Sequence, residues 1–144
     1  MRAQAPAYAR ALAEVRAGHK QSHWMWFVFP QIDGLGSSPM AREFAIKSLD
    51  EARAYLEHPV LGPRLFECMQ AALGVAGRSA YQIFGSPDDL KLHSCATLFA
   101  LVSRRGSVFE HVLDRYFKSK PDPKTLRILK TTYPLPPSSP EAAS

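Results

Sequence analysis

Three stretches of this sequence combine polar groups with side chains that suit ligand binding. The first is the aromatic run His23–Gln31, which contains both tryptophans of the chain. The second is the turn Gly34–Gly36, and the third is the segment Asp88–Ser94. From these stretches we take nine candidate ligand-binding residues: His23, Trp24, Trp26, Gln31, Gly34, Gly36, Asp88, Lys91 and Ser94.

The aromatic run suggests recognition of a flat ring. Trp24 and Trp26 could stack on a base or a nicotinamide-like ring while Gln31 reads its edge, and each stack would contribute ~1–3 kcal/mol. The alternative is that both indoles fill the core and their N–H groups find other partners. The run has polar residues at both ends, His23 and Gln31. A purely structural segment rarely needs polar groups at both ends, so this pattern favours a functional role.

The turn Gly34–Gly36 leads into a predicted helix that begins at Pro39. Exposed backbone N–H groups and the helix dipole at such a start can hold a phosphate or a carboxylate. The spacing is neither that of a Walker loop nor that of the dinucleotide fingerprint. A simple turn between two helices is therefore the alternative interpretation.

The segment Asp88–Ser94 suggests general acid–base chemistry, because two adjacent carboxylates precede a lysine and a serine. Local structure offers a second explanation for the acidic residues. A capping box from Ser86 to Asp89 would begin a helix, and the helix dipole favours Asp88 in the first turn. Capping does not explain Lys91 or Ser94.

The sequence does not indicate a metal or a cofactor. His19 and His23 have the i, i+4 spacing that can grip one metal ion, but no third ligand is spaced to join them. Cys68 and Cys95 lie in apolar-periodic segments, which predicts reduced, buried thiols. No nucleophile elbow or catalytic-cysteine signature is present.

Composition is that of a packed globule, with 144 residues, 46% hydrophobic and 22% charged, which predicts one domain. The formal net charge is +5, but no nucleic-acid fingerprint accompanies it, so nucleic acid is not an expected partner. No segment approaches the ~20 apolar residues of a spanning helix. The first residues lack a signal peptide's apolar region, and we expect a cytoplasmic protein. The oligomeric state is left open.

Helix signals predict an all-α fold, a compact single-domain bundle of about seven short helices over residues 1–130. Four segments fit a capping box, beginning at Ser48, Ser79, Ser86 and Ser107. Apolar residues then recur at i, i+3 and i+4 spacing. Residues 24–29 favour a strand by composition, but a lone strand would have no partner, so we predict a helix there. Residues 131–144 form a predicted Pro/Ser-rich flexible tail.

Several unusual motifs occur together and in order: the WMWF-F-PQ run, Gly34–Gly36, His58–Gly62 and the string GSPDDLK ending at Lys91. On these motifs residues 5–130 resemble the bacterial domain-of-unknown-function family numbered 1810. The resemblance implies a small, mainly α-helical, single-domain protein and brings no assigned activity. Some members carry the label calpastatin, but calpastatins are long and disordered, and this composition is that of a folded domain.

The residues thus support a small-molecule-binding domain for a nucleotide- or ribosyl-type ligand, and in a narrower form of this hypothesis the ligand is hydrolysed. The mixture of apolar bodies and polar tips is typical of a ligand pocket. The alternative is a protein-interaction module without chemistry, which engages a partner through the basic C-terminal helix and the Pro-rich tail. Whether the protein is an enzyme is left open.

Overall fold

The computed structural model describes residues 5–22, 24–35 and 39–132. Within these ranges the chain forms nine α-helices joined by loops. In these ranges the side chains at 5, 6, 26, 27, 40, 41, 131 and 132 are not included. The helices are α1 Ala5–Arg16, α2 Met25–Val28, α3 Pro39–Phe44, α4 Leu49–Glu57, α5 Leu61–Leu73, α6 Ala80–Phe84, α7 Asp88–Leu101, α8 Val108–Tyr116 and α9 Pro123–Thr132. The predicted all-α fold of short helices is confirmed. The predicted tail falls outside this description from residue 133 onward.

Helix α7 is the central element, because residues 94–99 are all buried. An amphipathic surface helix would bury a single stripe, whereas a helix buried on all sides lies inside the core. Helices α4, α6, α8 and α9 pack around it, and α5 packs on α1, α4 and α8. The buried side chains form a single hydrophobic cluster that extends from Ala11 in α1 to Leu129 in α9.

The junction between α4 and α5 depends on a close backbone approach. At Gly62 an added Cβ would lie 2.0 Å from the carbonyl oxygen of Leu56, a contact that real side chains do not make. The His58 ring closes the same junction, since its Nδ1 accepts hydrogen bonds from the backbone N–H groups of Val60 and Leu61 at 3.1 and 3.2 Å. Only glycine at position 62 allows α5 to begin this close to the end of α4.

The predicted caps have different outcomes. Ser79 and Gln82 form a complete capping box at α6. Ser48 and Ser107 each accept from the backbone N–H three residues ahead, as predicted. The predicted capping box at Ser86 is wrong, because the N-cap of α7 is Pro87, whose side chain makes no capping hydrogen bond. The carbonyl groups of Gly85 and Pro87 instead accept the first N–H groups of α7.

The aromatic run contains a helix, as predicted, but only the single turn α2. The chain then forms one isolated parallel bridge between Ile32 and Ile46, both of them buried. In this bridge Ile46 N–H donates to the carbonyl of Gln31 at 2.7 Å, and Asp33 N–H donates to the carbonyl of Ile46 at 2.8 Å. The bridge therefore fixes the two ends of the segment that carries Gly34 and α3.

Candidate functional site

Trp24 is a core residue, with 1% of its surface exposed. Its ring packs against Phe29 and Phe84, with centroid distances of 6.1 and 6.4 Å. Its indole N–H donates to Oε1 of Glu14 at 2.8 Å. This arrangement satisfies the polar edge of the ring inside the protein, so Trp24 offers no free face on which a ligand could stack.

Glu14 is the acceptor around which the loop between α1 and α2 is organised. Besides the Trp24 indole, it accepts from the backbone N–H groups of Gln21 and Ser22 at 2.8 and 3.0 Å, and from the Ser22 hydroxyl at 2.7 Å. Burial opposes ionisation, but these hydrogen bonds outweigh it and lower the pKa of Glu14 to about 2. The carboxylate is therefore charged at neutral pH and holds Trp24 in place.

Next to Trp24 lies a group of three charged residues, Lys20, Asp88 and Lys91, which we name the lysine cluster. The Lys20 ammonium lies 2.7 Å from Oδ2 of Asp88 and 5.2 Å from the centroid of the Trp24 ring. The Lys91 ammonium lies 3.3 Å from Oδ1 of the same carboxylate. The three side chains are 8%, 18% and 23% exposed in chain order, so Lys20 is nearly enclosed while Asp88 and Lys91 face solvent in part. Lys20 thus contacts both Trp24 and Asp88, and Asp88 also contacts Lys91, so three of the nine candidates lie close together.

Ser94, one helical turn further along α7, has its structural partner directly before α9. Its hydroxyl donates to Oδ2 of Asp122 at 3.0 Å, and Thr125 donates to the same oxygen through both its hydroxyl, at 2.6 Å, and its backbone N–H, at 3.1 Å. The hydroxyl of Thr97 accepts from the backbone N–H of Asp122 at 2.8 Å. We name these four residues the α9 clasp, because they fasten the start of α9 to the central helix.

Electrostatics support this anchoring role. Burial opposes ionisation of Asp122, but the hydrogen bonds from Thr125 and Ser94 outweigh it and lower the pKa of this carboxyl from its usual value. The neighbouring His93 stacks on the Phe117 ring at a centroid distance of 4.1 Å, and its Nε2 donates to the carbonyl of Lys120 at 2.7 Å. His93 makes none of the hydrogen bonds to Ser94 that a catalytic triad needs.

The remaining candidates are less informative. Gln31 is half-buried, and its backbone carbonyl belongs to the Ile32 bridge. Gly34 is exposed and lies above Ile128 of α9. Only the backbone of Trp26 is described, within α2, while His23 and Gly36 lie outside the described residues.

A shallow cavity of about 380 Å³ lies elsewhere, and none of the nine candidates lines it. Its lining residues, which we name the arginine cleft, are Gly77, Arg78, Ser79, Arg115 and Tyr116. Sequence reasoning missed this site because the loop before α6 and the end of α8 are far apart in the chain. Its two charged lining residues, Arg78 and Arg115, belong to none of the three stretches from which the candidates were taken.

Other kinds of site receive no support from the part of the chain that is described. There, no three His, Cys, Asp or Glu side chains come close enough together to hold a metal ion. Burial raises the pKa of the Cys68 thiol to about 12, and it also raises the pKa of Cys95, so neither cysteine is poised as a nucleophile. None of the helices in residues 5–22, 24–35 and 39–132 is both long and apolar enough to cross a membrane.

Comparison with known proteins identifies the family. A search of curated proteins gave no match. Among solved structures, the conserved hypothetical protein Rv1873 from Mycobacterium tuberculosis is similar, with 52% sequence identity and a TM-score of 0.85. The match covers 88% of this chain and 90% of that one. Residues 1–129 match the model of the family described as "Protein of unknown function (DUF1810)". The chain therefore belongs to the DUF1810 family.

Proposed function

We propose that this protein is a small-molecule-binding domain, and that a nucleotide- or ribosyl-type ligand binds at the lysine cluster. The observation that carries this proposal is the sharing of Asp88 by two ammonium groups at a partly exposed position. Two ammonium groups and one carboxylate therefore lie together beside the ring of Trp24. Together these three side chains offer hydrogen-bond donors and an acceptor within one small group.

The chemistry of the cluster suits a ligand that carries both hydroxyl and phosphate groups. An ionised carboxylate only accepts hydrogen bonds, and Asp88 could therefore accept from the hydroxyls of a ribose. An ammonium group has three donors and binds phosphate as a point charge. Lys91 is the more exposed of the two lysines, so it is the one we assign to the phosphate. Lys20 is nearly enclosed, and its ion pair with Asp88 fixes the orientation of the carboxylate.

The narrower hypothesis, hydrolysis of the bound ligand, depends on Asp88. A carboxylate held by two cations can position a water molecule by accepting its hydrogen bond, and the ammonium groups would stabilise negative charge that develops on the leaving group. A binding role needs the same three residues and no turnover. The two forms of the proposal are therefore separated by whether product appears.

The binding proposal is tested by thermal shift of the full chain against a panel of nucleotides, NAD, ADP-ribose and ribose phosphates. We expect at least one member to stabilise the wild type and to lose its effect in Asp88→Asn. The matched control is Asp89→Asn, since the Asp89 carboxylate accepts only from the backbone N–H of Leu90 among the contacts described. Stabilisation by no member of the panel, or equal loss in both variants, would count against this site. Product formation from the stabilising ligand, followed by chromatography, tests hydrolysis.

A second candidate function, the protein-interaction module, is favoured by the exposed positive charge around α9. Lys118, Lys120, Lys124 and Lys130 are all exposed. Removing the whole segment would be a poor test, because Thr125 and Leu129 are buried in the fold. Lys124→Glu with Lys130→Glu keeps the core intact, and deletion of residues 133–144 tests the tail separately. Partner capture that survives both changes would exclude this function.

A further inference from the structure

We propose that the arginine cleft is a second binding site, one that takes the phosphate group of a small molecule. The cleft is concave, has a volume of about 380 Å³, and is lined by two arginines, Arg78 and Arg115. This volume lies near the lower end of the range for ligand pockets. The site is built from different helices and different residues than the lysine cluster, and it stands independently of the function proposed there.

Arg78 is held in place by a hydrogen bond from its guanidinium and by packing of the adjacent carbon. One terminal nitrogen, Nη2, donates to the carbonyl of Gln82 at 3.0 Å. Its stem passes over Gly18 at the end of α1, where an added Cβ would lie 3.2 Å from the Arg78 Cδ. Gly18 also has a φ of +77°, which a residue with a side chain adopts only with strain. The glycine therefore makes room for the arginine that faces the cleft.

Arg115, on α8, is the second arginine of the cleft and is also fixed by a hydrogen bond to a backbone carbonyl. Its Nη2 donates to the carbonyl of Val75, and its guanidinium carbon lies 5.4 Å from the centroid of the Tyr116 ring. The hydroxyl of Tyr116 in turn donates to the carbonyl of Ala72 at 2.5 Å. These bonds fasten α8 to the end of α5 and leave the guanidinium at the edge of the cavity.

The charge of the cleft points to the class of ligand. Within the described residues, neither Arg78 nor Arg115 forms an ion pair with a carboxylate. A carbonyl occupies one of the five N–H donors of a guanidinium and does not neutralise its charge. A rigid guanidinium fork matches the oxygens of a phosphate in a two-bond geometry. Two such groups, already oriented and still charged, form a receptor for a phosphate.

The cleft is tested by titrating the isotope-labelled full chain with inorganic phosphate and then pyrophosphate, at constant ionic strength, while amide resonances are followed. We expect saturable shifts confined to residues 77–79 and 115–116. Arg78→Gln should weaken binding by about tenfold or more, the loss expected when a charge-assisted hydrogen bond is removed. Arg115→Lys, which keeps the charge and loses the fork, should weaken it as well. The control is Arg105→Gln, an exposed arginine in the turn before α8.

Each outcome of these titrations either supports or overturns the phosphate site. Saturation that is weakened by Arg78→Gln and Arg115→Lys but unchanged by Arg105→Gln supports the phosphate site. Linear shifts without saturation, or equal weakening in all three variants, would overturn it, since general ionic attraction explains both. A titration with acetate at the same ionic strength separates phosphate recognition from binding of any carboxylate. If acetate binds as tightly as phosphate, the assignment to phosphate is wrong.

Discussion

In the lysine cluster two ammonium groups share the carboxylate of Asp88, whereas in the arginine cleft two guanidinium groups bond to main-chain carbonyls. Both sites gather positive charge, and they differ in what compensates it. In the lysine cluster a carboxylate pairs with both lysines and adds an acceptor for hydroxyl groups. Carbonyls orient the arginines and leave both charges in place. The first arrangement suits a ligand with mixed groups, and the second suits an anion.

The same difference affects stability. Lys20 is nearly enclosed, so its charge depends on Asp88 for compensation. The guanidinium groups of the cleft stay in contact with water and need no such partner. We therefore expect substitutions around the lysine cluster to unfold the protein more readily than those in the arginine cleft.

The largest effect should come from Trp24→Ala, which removes the ring on which the lysine cluster rests. Loss of a fully buried tryptophan costs about 3–5 kcal/mol of the free energy of unfolding. Urea denaturation followed by circular dichroism measures this loss. The control is Tyr81→Ala, because this aromatic side chain is 63% exposed and its loss should cost far less. A similar loss in both variants would show that Trp24 is not part of the core.

An intermediate effect should come from Asp88→Asn, which leaves the enclosed ammonium of Lys20 without its carboxylate. We expect a loss of about 2 kcal/mol, somewhat below the cost of breaking a fully buried ion pair because Asp88 is partly exposed. Arg78→Gln in the arginine cleft should change stability by only about 0.5 kcal/mol. Adding Lys20→Met to Asp88→Asn should restore part of the lost stability. Equally small losses of unfolding free energy in Asp88→Asn and Arg78→Gln would contradict the expected difference between the two sites.

A third effect should be a difference in acid sensitivity, because a carboxylate with a lowered pKa binds the indole of Trp24. The pKa of Glu14 falls from 4.5 to about 2 on folding, so its charged form stabilises the protein fully above pH 4.5. That stabilisation is lost as the pH falls toward 2. Glu14→Gln should therefore flatten the dependence of unfolding free energy on pH in this range, as thermal unfolding at several pH values would measure. Glu57→Gln, at the exposed end of α4, should leave the slope unchanged.

Most of the fold was predictable because its signals are local. Ser79 and Gln82 are three residues apart and cap α6 through their own side chains, and the stripe that contains Leu65, Cys68 and Met69 is buried as its spacing predicts. The error at Ser86 has the same origin, since its sequence fits a capping box while backbone carbonyls supply the actual acceptors. Every residue has a backbone carbonyl, so a pattern of side chains does not indicate which carbonyls will accept hydrogen bonds.

The sites were predictable only in part, for a related reason. Asp88 and Lys91 are i, i+3 neighbours on one helix, and they were chosen as candidates. Lys20 was not, because the fold brings it to Asp88 from a distant loop. The indole of Trp24 was expected to need a partner, but nothing in the spacing identified Glu14. Arg78 and Arg115 bind backbone carbonyls, which every residue has. The residue types in the sequence therefore do not indicate these hydrogen bonds.

The α9 clasp has a consequence for how the chain folds as it is synthesised. Helix α7 is the centre of the core, but the hydroxyl of Ser94 finds its acceptor only in Asp122, 28 residues later. When the ribosome has released residues up to α8, the hydroxyl of Ser94 still lacks its acceptor and the core still lacks Leu129. Folding intermediates of that length should therefore stay open to chaperones until α9 emerges and closes the core.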